Sequence, residues 1–118
     1  MRSRSHEDVP ALDLKSFHIL VVLARGPLHG YAIRQEVEEL TGGTVRLWPA
    51  TLYGLLSELS GERLIAETSP PRGSHDDPRR RHYQLTPAGR RLLEAEASRL
   101  QRLARLARSR LAVGGTGP

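Results

Sequence analysis

Apolar residues recur at helical spacing from residue 14 to residue 59, alternate through two segments between residues 64 and 85, and return to helical spacing from residue 88. A shift in period from 3.6 to 2 and back marks helices, then strands, then a helix. Leu14, Phe17, Ile19, Leu20, Val21, Val22, Leu23 and Ala24 are apolar on more than one face. They predict a largely buried first helix, capped by Asp13 and ended by Gly26-Pro27. Leu28-His29-Gly30-Tyr31 is read as a tight entry to a second helix, in which Ile33, Val37 and Leu40 form the core stripe. Arg34, Gln35, Glu36, Glu38 and Glu39 point outward, and Thr41-Gly42-Gly43 stops the helix. Val45 and Leu47 alternate with Thr44 and Arg46, which predicts one short strand.

The third helix is expected over Trp48 to Leu59, closed by Gly61. Pro49 suits a first helical position, and Leu52, Leu55, Leu56 and Leu59 fall at i, i+3, i+4 and i+7. Its opposite face carries Ala50, Thr51, Gly54 and Ser57, with Tyr53 on one flank. Low bulk there permits close approach to a flat or grooved partner, although ordinary surface helices also carry Thr and Ser. Leu64 to Thr68 and Arg81 to Leu85 predict a hairpin around a polar Pro/Gly loop from Ser69 to Pro78. Thr86-Pro87 is an N-cap and N1 pair that opens a long helix from about Ala88 to Leu111. In that helix Leu93, Ala97, Leu100, Ala104, Ala107 and Leu111 form a heptad seam, widened by Leu92, Leu103 and Leu106.

The expected architecture is mainly α with a small β-hairpin, a winged helix-turn-helix plus a long C-terminal dimerisation helix. Residues 1–11 are read as a flexible arm, 12–87 as the DNA-binding domain, 88–112 as the dimerisation helix and 113–118 as a disordered tail. In this arrangement the third helix is the recognition helix, whose outer face enters a major groove. Its N-terminal N–H groups, from Pro49 to Tyr53, can meet phosphate. Arg72, Arg79, Arg80, Arg81 and His82 line the hairpin and supply the charge that the recognition helix lacks. Asp76 and Asp77 keep part of that loop away from a polyanion. Arg2 and Arg4 in the arm are weaker candidates for a minor groove.

Composition adds to this picture and narrows it. The 118 residues suffice for one domain, and the core must be aliphatic, since only 4% of residues are aromatic. The net charge is +5 and Lys15 is the sole lysine. Arginine binds phosphate and guanine bidentately, although arginine-for-lysine usage also follows genome composition. The absence of cysteine removes disulfides, thiol catalysis and Cys-based zinc sites. His75 beside Asp76 and Asp77 is poorly placed to encircle an ion, so no metal and no cofactor is expected. No catalytic triad, P-loop or dinucleotide glycine pattern occurs, and the chain is not read as an enzyme. Without a signal peptide or membrane span, a cytoplasmic location is expected.

The segments PLHGYAIRQEVEEL, LWPATLYGLLSEL, RLIAE and RHYQLTPAGRRLL resemble the PadR family of bacterial transcriptional regulators, in order and at similar spacing. The resemblance runs from about Leu14 to Leu93. It implies a winged-helix homodimer, usually a repressor, on a palindromic double-stranded DNA operator, with the C-terminal helix as dimerisation element. Carried over residue by residue, Tyr31, Thr51 and Tyr53 match motif positions at or supporting DNA, and Arg80 to His82 match the wing. Ala50 stands where a glycine or another small residue is often found, and Ser60-Gly61-Glu62-Arg63 replaces a more acidic turn. Some relatives sense hydrophobic compounds through aromatics at the dimer interface; the last helix here has none, so a small-molecule effector stays an open partner. Trp48 is expected to pack in the core or against the wing. The alternative reading is a winged-helix interaction adaptor without DNA binding.

Overall fold

The structure, a computed structural model, describes residues 12–70, 72–73, 75 and 80–115. The first helix, α1, spans Leu14–Leu23. Asp13 caps it, accepting the Ser16 N–H at 2.8 Å and the Ser16 hydroxyl at 3.1 Å. Ile19, Leu20, Val22 and Leu23 turn inward. The chain then forms a two-residue strand, β1 (Leu28–His29), before α2 (Gly30–Leu40). The segment read as a helix entry is therefore also a sheet strand. His29 ends β1 and caps α2, its Nδ1 accepting the Ala32 N–H at 3.2 Å.

Gly42 and Gly43 have φ of 60° and 85°, left-handed values that let the Gly43 N–H reach the Glu38 carbonyl at 2.8 Å and end α2. The strand expected at residues 44–47 does not form. Thr41 Oγ1 takes the Val45 N–H at 3.1 Å, so the segment is tied to the helix end and not to a neighbouring strand. Its alternation has another cause: Val45 and Leu47 are buried and pin the connection to the core.

Helix α3 spans Pro49–Gly61. Leu52, Leu56 and Leu59 are buried and Leu55 packs partly against them, in line with their spacing. A turn with Arg63 at φ 61° leads into β2 (Ile65–Thr68), which pairs antiparallel with β3 (His82–Leu85). Leu28 and His29 pair with Tyr83 and His82 on the other edge, giving the order β1-β3-β2. The expected hairpin is thus two strands of a three-stranded sheet.

Helix α4 spans Pro87–Gly115, opening with the Gly89 N–H on Thr86 Oγ1 at 3.0 Å. It continues past the boundary expected at residue 112. Its first turns lie on α1 and β3; Arg90 reaches the Ala24 carbonyl at 3.3 Å and Leu93 packs on the core. From Leu100 to Gly114 every residue is exposed.

Candidate nucleic-acid interface

The outer face of α3 presents Pro49, Ala50, Tyr53, Gly54 and Ser57 to solvent. No side chain caps its N-terminus, because position 48 is tryptophan and offers no acceptor to the first turn. Thr51 lies lower. It is half-buried and helps line a groove of about 690 Å³ with Leu14, Lys15, Val45, Arg46 and Leu55.

The wing meets the helices at a second concavity, of about 300 Å³, lined by His29, Gly30, Tyr31, Tyr53, Arg80, Arg81 and Tyr83. Residues from the start of α2, from α3 and from the wing thus share one surface. Tyr31 and Tyr53 are 57% and 54% exposed, while Tyr83 is buried. Burial, then the Glu67 carboxylate, raises the Tyr83 phenol above its ordinary pKa, against an opposing hydrogen bond from Arg81. The group therefore stays neutral beneath the arginines. Arg81 lies 3.7 Å from Glu67, an exposed pair of modest strength.

Arg80 Nη1 lies 3.3 Å from His29 Nε2. The same ring accepts the Ala32 N–H at its Nδ1, so His29 ties the start of α2 to the wing. Arg80 is exposed, and its guanidinium has further N–H donors to offer an outside acceptor.

His82 requires a correction. It was expected on the DNA-facing wing, but its side chain is fully buried, with the ring edge against His29 at 5.4 Å and Nδ1 donating to the Arg80 carbonyl at 3.2 Å. It lies on the face of β3 opposite the core residues Tyr83 and Leu85, covered there by His29 of the paired strand, and its part is to set the backbone from which Arg80 and Arg81 project. Arg72 is exposed in the β2–β3 connection; Arg79 lies outside the described residues, as do Arg2, Arg4, Asp76 and Asp77. Leu93, half-buried, packs against the core of its own domain. Ala97, Leu100, Leu103, Ala104, Ala107 and Leu111 are exposed along α4.

Two residues escaped the reading of the sequence. His29 lacks the Ser, Thr, Asp or Asn signature of an N-cap, so its double role was invisible there. Trp48, expected in the core or against the wing, is 56% exposed, with the Arg34 guanidinium 5.8 Å from its ring centroid. Among the described residues no group of three or more His, Asp or Glu is placed to hold a metal, and no helix is long and apolar enough to cross a membrane.

The sequence pattern of the transcriptional regulator PadR-like family matches residues 19–95, from the second half of α1 to the start of α4. The chain belongs to that family. Its members are transcriptional regulators, not enzymes. An uncharacterised 37.1 kDa protein of transposon TN4556 from Streptomyces fradiae is 45% identical over 85 residues, which is 72% of this chain and 22% of that protein. The PadR-like chain therefore spans about a fifth of that relative's length. A PadR family regulator from Clostridium difficile superposes with a TM-score of 0.70 at 23% identity, covering 84% of this chain and 99% of the other. A regulator from Clostridium thermocellum gives 0.67 at 20% identity, over 80% and 87%. Bacillus subtilis PadR, solved in complex with operator DNA, gives 0.58 at 25% identity, over 70% of this chain and 46% of that one. These likenesses establish the winged-helix fold of a PadR-like regulator.

Proposed function

We propose that this PadR-like chain is a sequence-specific DNA-binding repressor, acting as a homodimer on a palindromic operator. The observation that carries the reading is the concavity where exposed Tyr31 and Tyr53 meet Arg80 and Arg81. Aromatic hydroxyls and guanidinium groups at one lip suit phosphate and sugar contacts, while the small face of α3 beside them suits close approach to base edges. The operator complex of Bacillus subtilis PadR supports carrying this surface to DNA.

In this reading Thr51, Tyr53 and Ser57 select sequence, and the wing arginines hold the duplex. The exposed leucines of α4 serve dimerisation, and two such units related by a two-fold axis read half-sites about 34 Å apart or a multiple of it. The groove beside Thr51 is the concavity that would receive a hydrophobic effector, since Leu14, Val45 and Leu55 line it against the recognition helix. No cofactor enters the scheme.

The test is binding of the wild-type protein to a labelled duplex from upstream of its own gene, titrated over salt. The slope of log affinity on log salt should approach −0.9 per phosphate contacted. Changing Arg79, Arg80 and Arg81 together to Ala should abolish binding and keep the fold and the dimer. Salt-independent binding, or a triple variant that binds as wild type, sinks the reading. Retention of a protein partner by a chain that ignores all duplexes would favour the adaptor alternative.

A further inference from the structure

We propose that Trp48 and Arg34 form a DNA contact of their own, an indole–guanidinium plate that seats the sugar–phosphate backbone beside the groove entered by α3. This rests on the DNA-binding reading above, and adds to it two residues outside both the wing and the small face of the recognition helix.

Four observations place the plate. Leu47 is buried and Trp48 has extended backbone angles, φ −64° and ψ 151°, so successive side chains point to opposite sides and the indole is directed outward. Position 48 is an N-cap, where Ser, Thr, Asp or Asn would satisfy the first turn of α3; an indole neither caps the helix nor, at 56% exposure, fills the core. Its ring faces the Arg34 guanidinium, 5.8 Å from the centroid, and among the described residues no carboxylate pairs with that cation. Finally, Arg34 follows Tyr31 by three residues on α2, which sets both on one helical face. Tyr31 lines the concavity shared with Tyr53, Arg80 and Arg81. The plate thus adjoins the face of α2 that carries Tyr31.

The chemistry selects the occupant. A guanidinium supplies planar N–H donors and a fixed positive charge, and an indole supplies one N–H donor with a broad apolar face. The duplex backbone offers the complement, phosphate oxygens alternating with the C–H faces of deoxyribose. Contacts of this type set register on the duplex and carry no base code themselves. Trp48 and Arg34 are therefore assigned as positioning residues for the bases read by α3.

Trp48 is the only tryptophan in the chain, so intrinsic emission reports this site alone. The probe is a duplex selected from a random-sequence library by the wild-type protein, carrying a dye at one end. Dye anisotropy follows binding while tryptophan emission follows the plate. The expected result is a change in Trp48 emission that saturates together with anisotropy. Arg34→Ala should lower the salt slope by about the 0.9 of one phosphate. Trp48→Ala should weaken binding about tenfold, Trp48→Phe should recover part of the loss, and all three variants should melt near the wild-type temperature. Saturating anisotropy with unchanged emission, or Trp48→Ala and Arg34→Ala binding with wild-type affinity and slope, overturns the proposal and leaves the DNA reading intact. Emission that changes with protein concentration alone, and no further on adding duplex, assigns the plate to a second copy and also overturns it. Absence of binding to any duplex removes the DNA reading, and the plate with it.

Discussion

The hydroxyl of Tyr53 lies over the Cα of Gly30: a Cβ built on that glycine would sit 2.8 Å from the phenolic oxygen and 3.2 Å from the ring carbons. The recognition helix and the start of α2 therefore meet through a side chain resting on a residue that has none. Tyr53 is 54% exposed and can swing outward, and alanine favours a helix over glycine by about 1 kcal/mol. Gly30→Ala should then leave thermal stability equal to wild type or slightly raised while displacing Tyr53. Duplex affinity should fall about tenfold, the effect of roughly 1.4 kcal/mol. A double variant Gly30→Ala/Tyr53→Phe that binds no worse than Tyr53→Phe alone would show that the glycine acts through the hydroxyl. Wild-type affinity in Gly30→Ala would show that the placement of Tyr53 is irrelevant to binding.

Gly89 presents the opposite case, because its neighbour is backbone. A Cβ there would overlap the Leu64 carbonyl oxygen and come within 2.9 Å of the carbonyl carbon. That carbonyl accepts the Thr86 N–H at 3.1 Å, and Thr86 Oγ1 donates to the Arg63 carbonyl at 2.7 Å. The first turn of α4 is thereby seated on the turn before β2. Nothing in this contact can rotate away, so Gly89→Ala should destabilise by about 3 kcal/mol or more, read as a large drop in urea midpoint. Thr86→Ala should cost about 1 kcal/mol through loss of the cap. A Gly89→Ala variant as stable as wild type would mean that α4 is not held this close.

These two glycines indicate what the sequence discloses and what it hides. Spacing alone disclosed the helices, because Ile33 with Val37, and Leu52 with Leu56 and Leu59, must each fall on one face to be buried. It misjudged Val45 and Leu47, whose alternation is that of a pinned connection; the hydroxyl of Thr41, which occupies the Val45 amide, leaves no mark on a periodicity. Strand β1 is two residues long and exists only through its pairing with Tyr83 and His82, a long-range relation that no local pattern contains. The convergence of Tyr31 and Tyr53 with Arg80 and Arg81 is likewise a product of the sheet. Trp48 was misplaced because indole is usually buried, and here its outward direction follows from Leu47 turning inward.

Acid should weaken the attachment of α4 to the start of α1. Glu96 is buried on α4 and accepts two hydrogen bonds from Arg99, Nε at 2.8 Å and Nη2 at 2.9 Å. The Arg99 hydrogen bonds, with lesser help from its charge and from the Leu12 backbone, outweigh burial and hold the Glu96 carboxyl below its ordinary pKa. A carboxylate lowered in this way stabilises the fold above the pKa of the unfolded chain, and that contribution disappears as pH falls through the lower, folded value. Glu96→Gln should cost roughly 1 kcal/mol at neutral pH and nothing once the folded and unfolded chains are both protonated, at pH below the lowered folded value. Melting curves across that range should converge for the two proteins. A gap that persists undiminished in acid would assign the effect of Glu96 to packing and not to its charge.

Among the described residues nothing covers the leucines in the distal half of α4: Leu100, Leu103, Leu106 and Leu111 are 42 to 72% exposed along it. A helix of this length standing alone in water is marginal even with favourable composition, and its leucines would add a sizeable apolar patch to a monomer. Both difficulties are removed if a second copy packs along the seam of Ala97, Leu100, Ala104, Ala107 and Leu111. Leu100→Asp places a charge in the middle of that seam, where burial without a partner is strongly unfavourable. It should convert the dimer to a monomer by sedimentation velocity, lower helical ellipticity as the free end of α4 frays, and weaken binding to a two-half-site duplex far more than to a single half-site. Ser98→Asp, on the opposite face of the same turn, controls for the charge and should change none of these. Sedimentation of Leu100→Asp as the wild-type species, with undiminished binding to the full palindrome, would show that this seam is not an interface between copies.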